Sequence, residues 1–214
     1  MAVLNLTAEK ALIFRITHIS NIPWLLDNGL HCPASEVQDP GFRRIGNVDL
    51  INRRVHRGVP IPPGGRLNDY IPFYFTPCTP MLYNIKTGYQ GVEQILMRDI
   101  VVLASSLHRV TEQGVRFVFA DRHAYLQAAK FSSHLADLTV LDWKSLRARD
   151  FRRAPEDPSK MERYQAEALI HRHLPVGGLG GLACHGAAQR ETLEAEIARR
   201  GLELKVVTRP EWYP

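Results

Sequence analysis

Few residues of this 214-residue chain combine a reactive side chain with an informative position, and Glu167 is the first of them. It lies in "QAEALI", beside Ala166 and ahead of Ala168, Leu169 and Ile170, where a strand or helix turns its residues toward a core. As a helix, Arg163 and His171 would flank it at i−4 and i+4, an exposed ion-paired stripe worth roughly a few tenths of a kcal/mol. As a strand, Gln165, Glu167, Leu169 and His171 share one face, and Ala166, Ala168 and Ile170 the other. Spacing alone favours the solvated stripe and leaves the strand open.

Other reactive types stand in ordinary contexts. His18 and Asn21 form an H-x-x-N at the end of a first strand, where a histidine usually packs or caps. Arg53 and Arg54 in "LINRRVHRG" read as solvated helix residues, and Tyr70, Phe73, Tyr74 and Phe75 as core aromatics. His171 and His173 could offer a metal two imidazoles, with His185 downstream, but no third ligand stands at a set spacing, so no metal is expected. Gly178-x-Gly180-x-x-Ala183 has the letters of a dinucleotide fingerprint without a strand leading into it or a helix opening within it, which argues against a Rossmann site. Cys32, Cys78 and Cys184 form no C-x-x-C pair and carry no nucleophile signature.

The elements that must position these residues are short. "ALIFRIT" (11–17) reads as a strand and "SNIPWLLDNG" as a helix capped by Asn21 and ended at Asn28-Gly29. Residues 31–69 lack long periodic runs apart from a short helix in "VDLINRRVHRG", the mark of a functional or disordered loop. "YIPFYFTP" is an aromatic strand, followed by a turn or short helix in "TPMLYNIKTG". Further strands are expected at 99–106 and 115–121, and a helix in "RHAYLQAAKFSSHLADL". An irregular basic stretch, "RARDFRRAPEDPSK", precedes the Glu167 run. The strand "GLACHG", the helix "AAQRETLEAEIARRG" and the strand "LELKVVT" close the chain. Alternating short strands and helices without repeats indicate one α+β domain over residues 1–214.

Composition bounds the class. With 45% hydrophobic and 23% charged residues the chain reads as globular, and no run approaches a membrane span or a signal peptide, so a cytoplasmic location and reduced cysteines are expected. The 27 basic residues against 22 acidic ones are mostly arginine, whose planar fork suits phosphate. A nucleotide or nucleic-acid partner is one reading, and GC-rich coding is another.

Taken together, "ALIFRITHISNIPWLLDNGLHC", "NDYIPFYFTPCTPMLYNI", "FVFADRHAY" and "RARDFRRAPEDPSKMERYQAEALIHRHLP" resemble, in order, the DarT-type DNA ADP-ribosyltransferase toxins. These are the toxic halves of bacterial toxin-antitoxin pairs whose antitoxin is a DarG-like macrodomain protein. The resemblance runs from about residue 10 to the C-terminus. It implies an α+β fold of the ADP-ribosyltransferase (PARP-like) class, a split, mostly antiparallel sheet with flanking helices whose cleft holds NAD without Rossmann glycines. It also selects the strand reading of "QAEALI".

Carried over by position, the resemblance implies catalytic roles for Glu167 and Arg54, with neighbouring Arg53 as the competing match. It puts His18, Asn21, Tyr74, Thr17 and Gly29 on the NAD side, and Arg53, Arg57, Arg152, Arg153 and Tyr164 toward nucleic acid. Arg43, Arg44, Arg147 and Arg149 lie in the same two irregular segments. Cys78 fills a position where the family often has arginine or another bulky residue. The implied activity is transfer of ADP-ribose from NAD to a base of single-stranded DNA, thymine before guanine. The alternatives are transfer to RNA or protein, or a non-catalytic single-strand binder.

Overall fold

The computed structural model describes residues 5–214. In chain order its strands and helices are β1 (Leu12–His18), α1 (Ile22–Asn28), β2 (Leu30–His31), α2 (Val48–Arg54), β3 (Tyr70–Tyr74), α3 (Pro80–Thr87), β4 (Ile100–Ser106), α4 (Leu107–Glu112), β5 (Phe117–Ala120), β6 (Phe131–Ser132), α5 (Trp143–Ala148), α6 (Lys160–Tyr164), β7 (Glu167–His171), β8 (His173–Leu174), β9 (Gly181–Cys184), α7 (Ala187–Arg199) and β10 (Val206–Thr208). Eight strands form one sheet in the order β10-β9-β4-β1-β3-β7-β5-β6, antiparallel except for β9 and β10, and β2 pairs with β8 separately.

The sheet is continuous on both sides of its centre and nearly parts in the middle. All seven residues of β1 pair with β4, from Leu12↔Ser106 to His18↔Ile100. β3 pairs along its whole length with β7, from Tyr70↔His171 to Tyr74↔Glu167. Between β1 and β3 the register holds a single pair, Phe14↔Tyr74. Pro72 suits this split, because proline has no N–H to give a neighbouring strand. Its carbonyl is satisfied instead by the Arg15 guanidinium, at 2.8 Å. The split sheet expected from the family resemblance is therefore present.

Around β5 and β7 the two sheet faces bury separate apolar clusters. The larger contains Phe73, Phe75, Phe119, Ala168 and Ile170 with α1, α3, α5 and α7 side chains; the smaller contains Tyr70, Val118, Ala120 and Leu169 with Val59 and Leu67. β7 is thus buried on both faces, which is why "EALI" reads as a compact run and not as an alternating pattern. Its first residue, Glu167, is 1% exposed, so the solvated-stripe reading fails and the strand reading holds.

One expected element is absent. Residues 122–138 form no α-helix: turns lead to β6 at the sheet edge and then to a 3-10 segment at Leu135–Val140. Tertiary pairing takes the backbone groups a helix would need. Asp121 N–H donates to the Lys130 carbonyl, the Asp121 carboxylate accepts Lys130 N–H, and His123 N–H reaches the Glu162 carbonyl. Among the described residues no helix is long and apolar enough to cross a membrane.

Candidate active site

Where β1 and β3 diverge, a cleft of about 420 Å³ opens, lined by Arg15, Ile16 and Thr17 of β1, Ile71, Pro72 and Tyr74 of β3, and much of residues 30–55. The long irregular segment is therefore the wall of a site. Glu167 enters from the first position of β7, between Tyr74 on β3 and Ala120 on β5. Arg54 enters from the last residue of α2.

These two side chains, 113 positions apart, form a two-armed clamp: Nη1 donates to Oε1 at 2.9 Å and Nη2 to Oε2 at 2.7 Å. Arg54 and not Arg53 therefore meets Glu167. Burial alone would push the Glu167 carboxyl up. The Arg54 charge, His123, the Arg54 hydrogen bonds and the Ala124 amide together outweigh it and hold the carboxyl below its ordinary value. Burial likewise opposes the Arg54 charge, and Glu167 more than restores it.

His123 is a site residue that sequence reasoning passed over. Its Nδ1 lies 3.3 Å from Glu167 Oε1 and accepts the Tyr125 N–H at 3.2 Å. Burial lowers the imidazole's pKa, against the pull of Glu167, so the ring is neutral at pH 7. The available signal was its place just beyond the strand "FVFA", inside one of the stretches that carry the resemblance.

Arg15 was also unassigned. Its guanidinium lines the cleft without a carboxylate partner among the described residues, and burial brings its pKa down to about 10, with Tyr74 opposing and Arg54 adding to the fall. Tyr74 joins the cluster; burial and Glu167 push its hydroxyl up to about 12 against the two arginines.

The remaining expected residues divide. Thr17 and Tyr74 line the cleft, whereas His18, Asn21 and Gly29 do not. Asn21 does not cap α1 through its side chain; the amide donates to Thr17 Oγ1 (3.0 Å) and the Arg43 carbonyl (2.9 Å) and accepts Arg43 N–H (2.9 Å). It pins the cleft loop to the end of β1. His18 acts in the same way, since its Nε2 accepts Arg43 Nη1 at 2.9 Å and its Nδ1 faces Ser20 Oγ at 2.7 Å. Burial and the Arg43 charge keep that ring neutral. Gly29 is a steric requirement: at φ +75° it ends α1, and a Cβ there would stand 2.6 Å from the Leu174 carbonyl.

Among the nucleic-acid candidates, Arg53 and Arg57 line a second cavity beside the first. Tyr164 is removed from that role, because it is fully buried with its hydroxyl on the Cys78 carbonyl at 2.7 Å. Arg152 is exposed and paired with Asp150, Arg153 is exposed, and neither lines a cavity. Arg147 and Arg149 are tied to the Leu6 and Glu211 carbonyls. His173 stacks on His31 and His171 leans on Tyr70, and no group of three His, Cys, Asp or Glu among the described residues is placed to hold a metal ion.

The family model described as ssDNA thymidine ADP-ribosyltransferase, DarT, matches residues 14–214. A DNA ADP-ribosyl transferase of Escherichia coli O127:H6 is 48% identical over 209 residues, 98% of this chain and 96% of the relative. The solved structure of Thermus sp. 2.9 DarT in complex with ADP-ribosylated ssDNA superposes with a TM-score of 0.87 at 33% identity, covering 96% of this chain and 97% of that one. The same Thermus protein in complex with NAD+ gives a TM-score of 0.81, covering 96% and 98%.

Proposed function

The chain belongs to the DarT family of single-stranded-DNA thymidine ADP-ribosyltransferases, and from that membership we propose that Glu167 and Arg54 are the catalytic pair of the reaction. The activity is NAD-dependent transfer of ADP-ribose to a DNA base. The observation that carries the residue assignment is the buried clamp between Glu167 and Arg54 at the split of the sheet.

The cleft residues fit NAD as co-substrate. Arg15 is a cation without a carboxylate, suited to a phosphate, and Ile16, Leu30, Ile71 and Met81 supply apolar wall for the rings. Thr17 and Tyr74 add hydroxyls. His18 and Asn21 act one step removed, by holding the Arg43 loop across the opening.

Chemistry begins with loss of nicotinamide, which departs with the bonding electrons and leaves oxocarbenium character on the ribose. A carboxylate held ionised in a water-poor cleft stabilises that charge most effectively. Glu167 has about four acceptor sites. Arg54 fills two, the Ala124 amide one, and the last faces His123 Nδ1. For a ribose hydroxyl to reach the carboxylate, one arm of Arg54 must yield, and α2 fully buries no side chain that would resist a small shift. The freed arm then polarises a thymine carbonyl. As thymine N3 bonds to the ribose carbon, its proton passes to Glu167.

A base stacked in a duplex cannot enter this cleft, so single-stranded DNA is the substrate form. The protein acts in the cytoplasm as the toxin of a toxin-antitoxin pair, restrained by a DarG-like macrodomain antitoxin; this setting follows the family resemblance. The function is tested by incubating the protein with NAD labelled in the ADP-ribose and, separately, thymidine-bearing single strands, single strands with guanine but no thymidine, duplex DNA, RNA and protein. Label is expected on the thymidine strands. Label confined to RNA or protein would overturn the assignment.

A further inference from the structure

The second cavity, also about 420 Å³, is lined by Arg53, His56, Arg57, Gly58, Tyr125, Leu126 and Gln127. Its walls come from two chain segments, and both also serve the catalytic cleft. Arg53 precedes Arg54 on α2, and Tyr125 follows His123 by two residues. Consecutive Cα atoms are about 3.8 Å apart, so one layer of residues separates the two spaces. A polymer that presents one unit to Glu167 has this cavity as the nearest place for the next.

The chemistry of the lining is that of a nucleotide. Arg53 is exposed and has no ion pair among the described residues. Arg57 is fixed by neutral acceptors alone, Nη1 on Gln127 Oε1 at 2.9 Å and Nη2 on the Leu126 carbonyl at 3.1 Å, and its buried Nε has no partner. No carboxylate cancels either charge. Tyr125 supplies an aromatic ring whose other side packs against the smaller core. Fixed positive charge beside a rigid ring is the combination that binds a single-strand phosphate and its base. An acidic protein loop would use the arginines and have no need of the ring.

We infer that the second cavity is a subsite for the nucleotide adjoining the modified thymidine, its phosphate on Arg53 in the field of Arg57 and its base on Tyr125. This rests on the DNA-modifying reading above and adds a positioning element to it.

The test uses the full chain, saturating NAD and a single-strand oligonucleotide with one thymidine. Arg53→Ala and Tyr125→Leu are each expected to raise KM for the oligonucleotide about tenfold with kcat little changed, the size of a lost stacking or phosphate contact. Tyr125→Phe keeps the ring and should match the parent. Arg190→Ala on α7, remote from both cavities, is the control for general loss of charge. Arg53→Ala should also lower the slope of log affinity against log salt by about 0.7, one phosphate contact. An abasic residue is then walked along both flanks of the thymidine. At one position it should erase the difference between the parent and Tyr125→Leu, and elsewhere the difference should persist. Unchanged KM in both variants while the parent labels DNA, or no abasic position that erases the Tyr125 effect, overturns the subsite. A parent that labels no DNA overturns the functional reading and the subsite with it.

Discussion

Replacing Arg54 by methionine keeps an unbranched stem in the cleft and removes both hydrogen bonds and the charge that hold Glu167. The partner left behind is 1% exposed, and breaking a buried pair of this kind costs about 3–5 kcal/mol. That cost depends on pH in a direction the site dictates. In the parent, the Glu167 carboxyl lies below its ordinary value of 4.5, so the clamp's contribution is complete above that value and is lost as pH falls through the depressed native one. In Arg54→Met, burial is opposed only by His123 and the Ala124 amide, and the native carboxyl moves above its ordinary value. Folding then favours the protonated acid, a contribution present at low pH and lost as pH rises through the native value. The stability gap between parent and variant should therefore be smallest below the parent's depressed native value and widen as pH rises past the variant's raised one, at roughly 1.4 kcal/mol for each unit between the two native pKa values. Urea denaturation across that range, read as midpoints at constant slope, measures the gap. A gap of the same size at every pH would refute the claim that Arg54 acts by keeping Glu167 ionised.

Two further outcomes follow from the cleft. Arg15→Met should raise KM for NAD by about tenfold or more while leaving the KM for DNA near the parental value, because its cation faces the cleft without a carboxylate; equal rises in both constants would exclude a specific NAD contact. Asn21→Ala removes two hydrogen bonds to the Arg43 backbone and one to Thr17, so limited proteolysis should cut residues 39–46 several-fold faster and KM for NAD should rise; parental cleavage rates would show the loop to be held otherwise.

Much of the frame is legible in the chain because its central strands carry their own signal. "LIFRITH", "IVVLASS" and "FVFA" are β-branched and aromatic runs, and the 13-residue α7 has the composition of a helix. The segment 122–138 misleads because its helix formers are overruled by distant partners, Asp121 with Lys130 and His123 with Glu162. Glu167 is ambiguous for a related reason: its partner stands 113 positions away, and no local period reports that. The H-x-x-N pair is placed at the right end of β1, yet what His18 and Asn21 touch is the backbone and side chain of Arg43, a contact only the folded loop creates. Tyr164 sits just ahead of the strand that opens with Glu167 and faces the core, a direction that proximity in sequence does not give.

The proposed reaction turns on the charge of Glu167 acting while nicotinamide leaves. Glu167→Gln keeps the side chain's shape and removes that charge. In single-turnover transfer from labelled NAD to a thymidine-bearing single strand, the folded variant should still bind NAD and should transfer about 10²–10⁴-fold more slowly than the parent. Transfer at the parental rate by folded Glu167→Gln would contradict it.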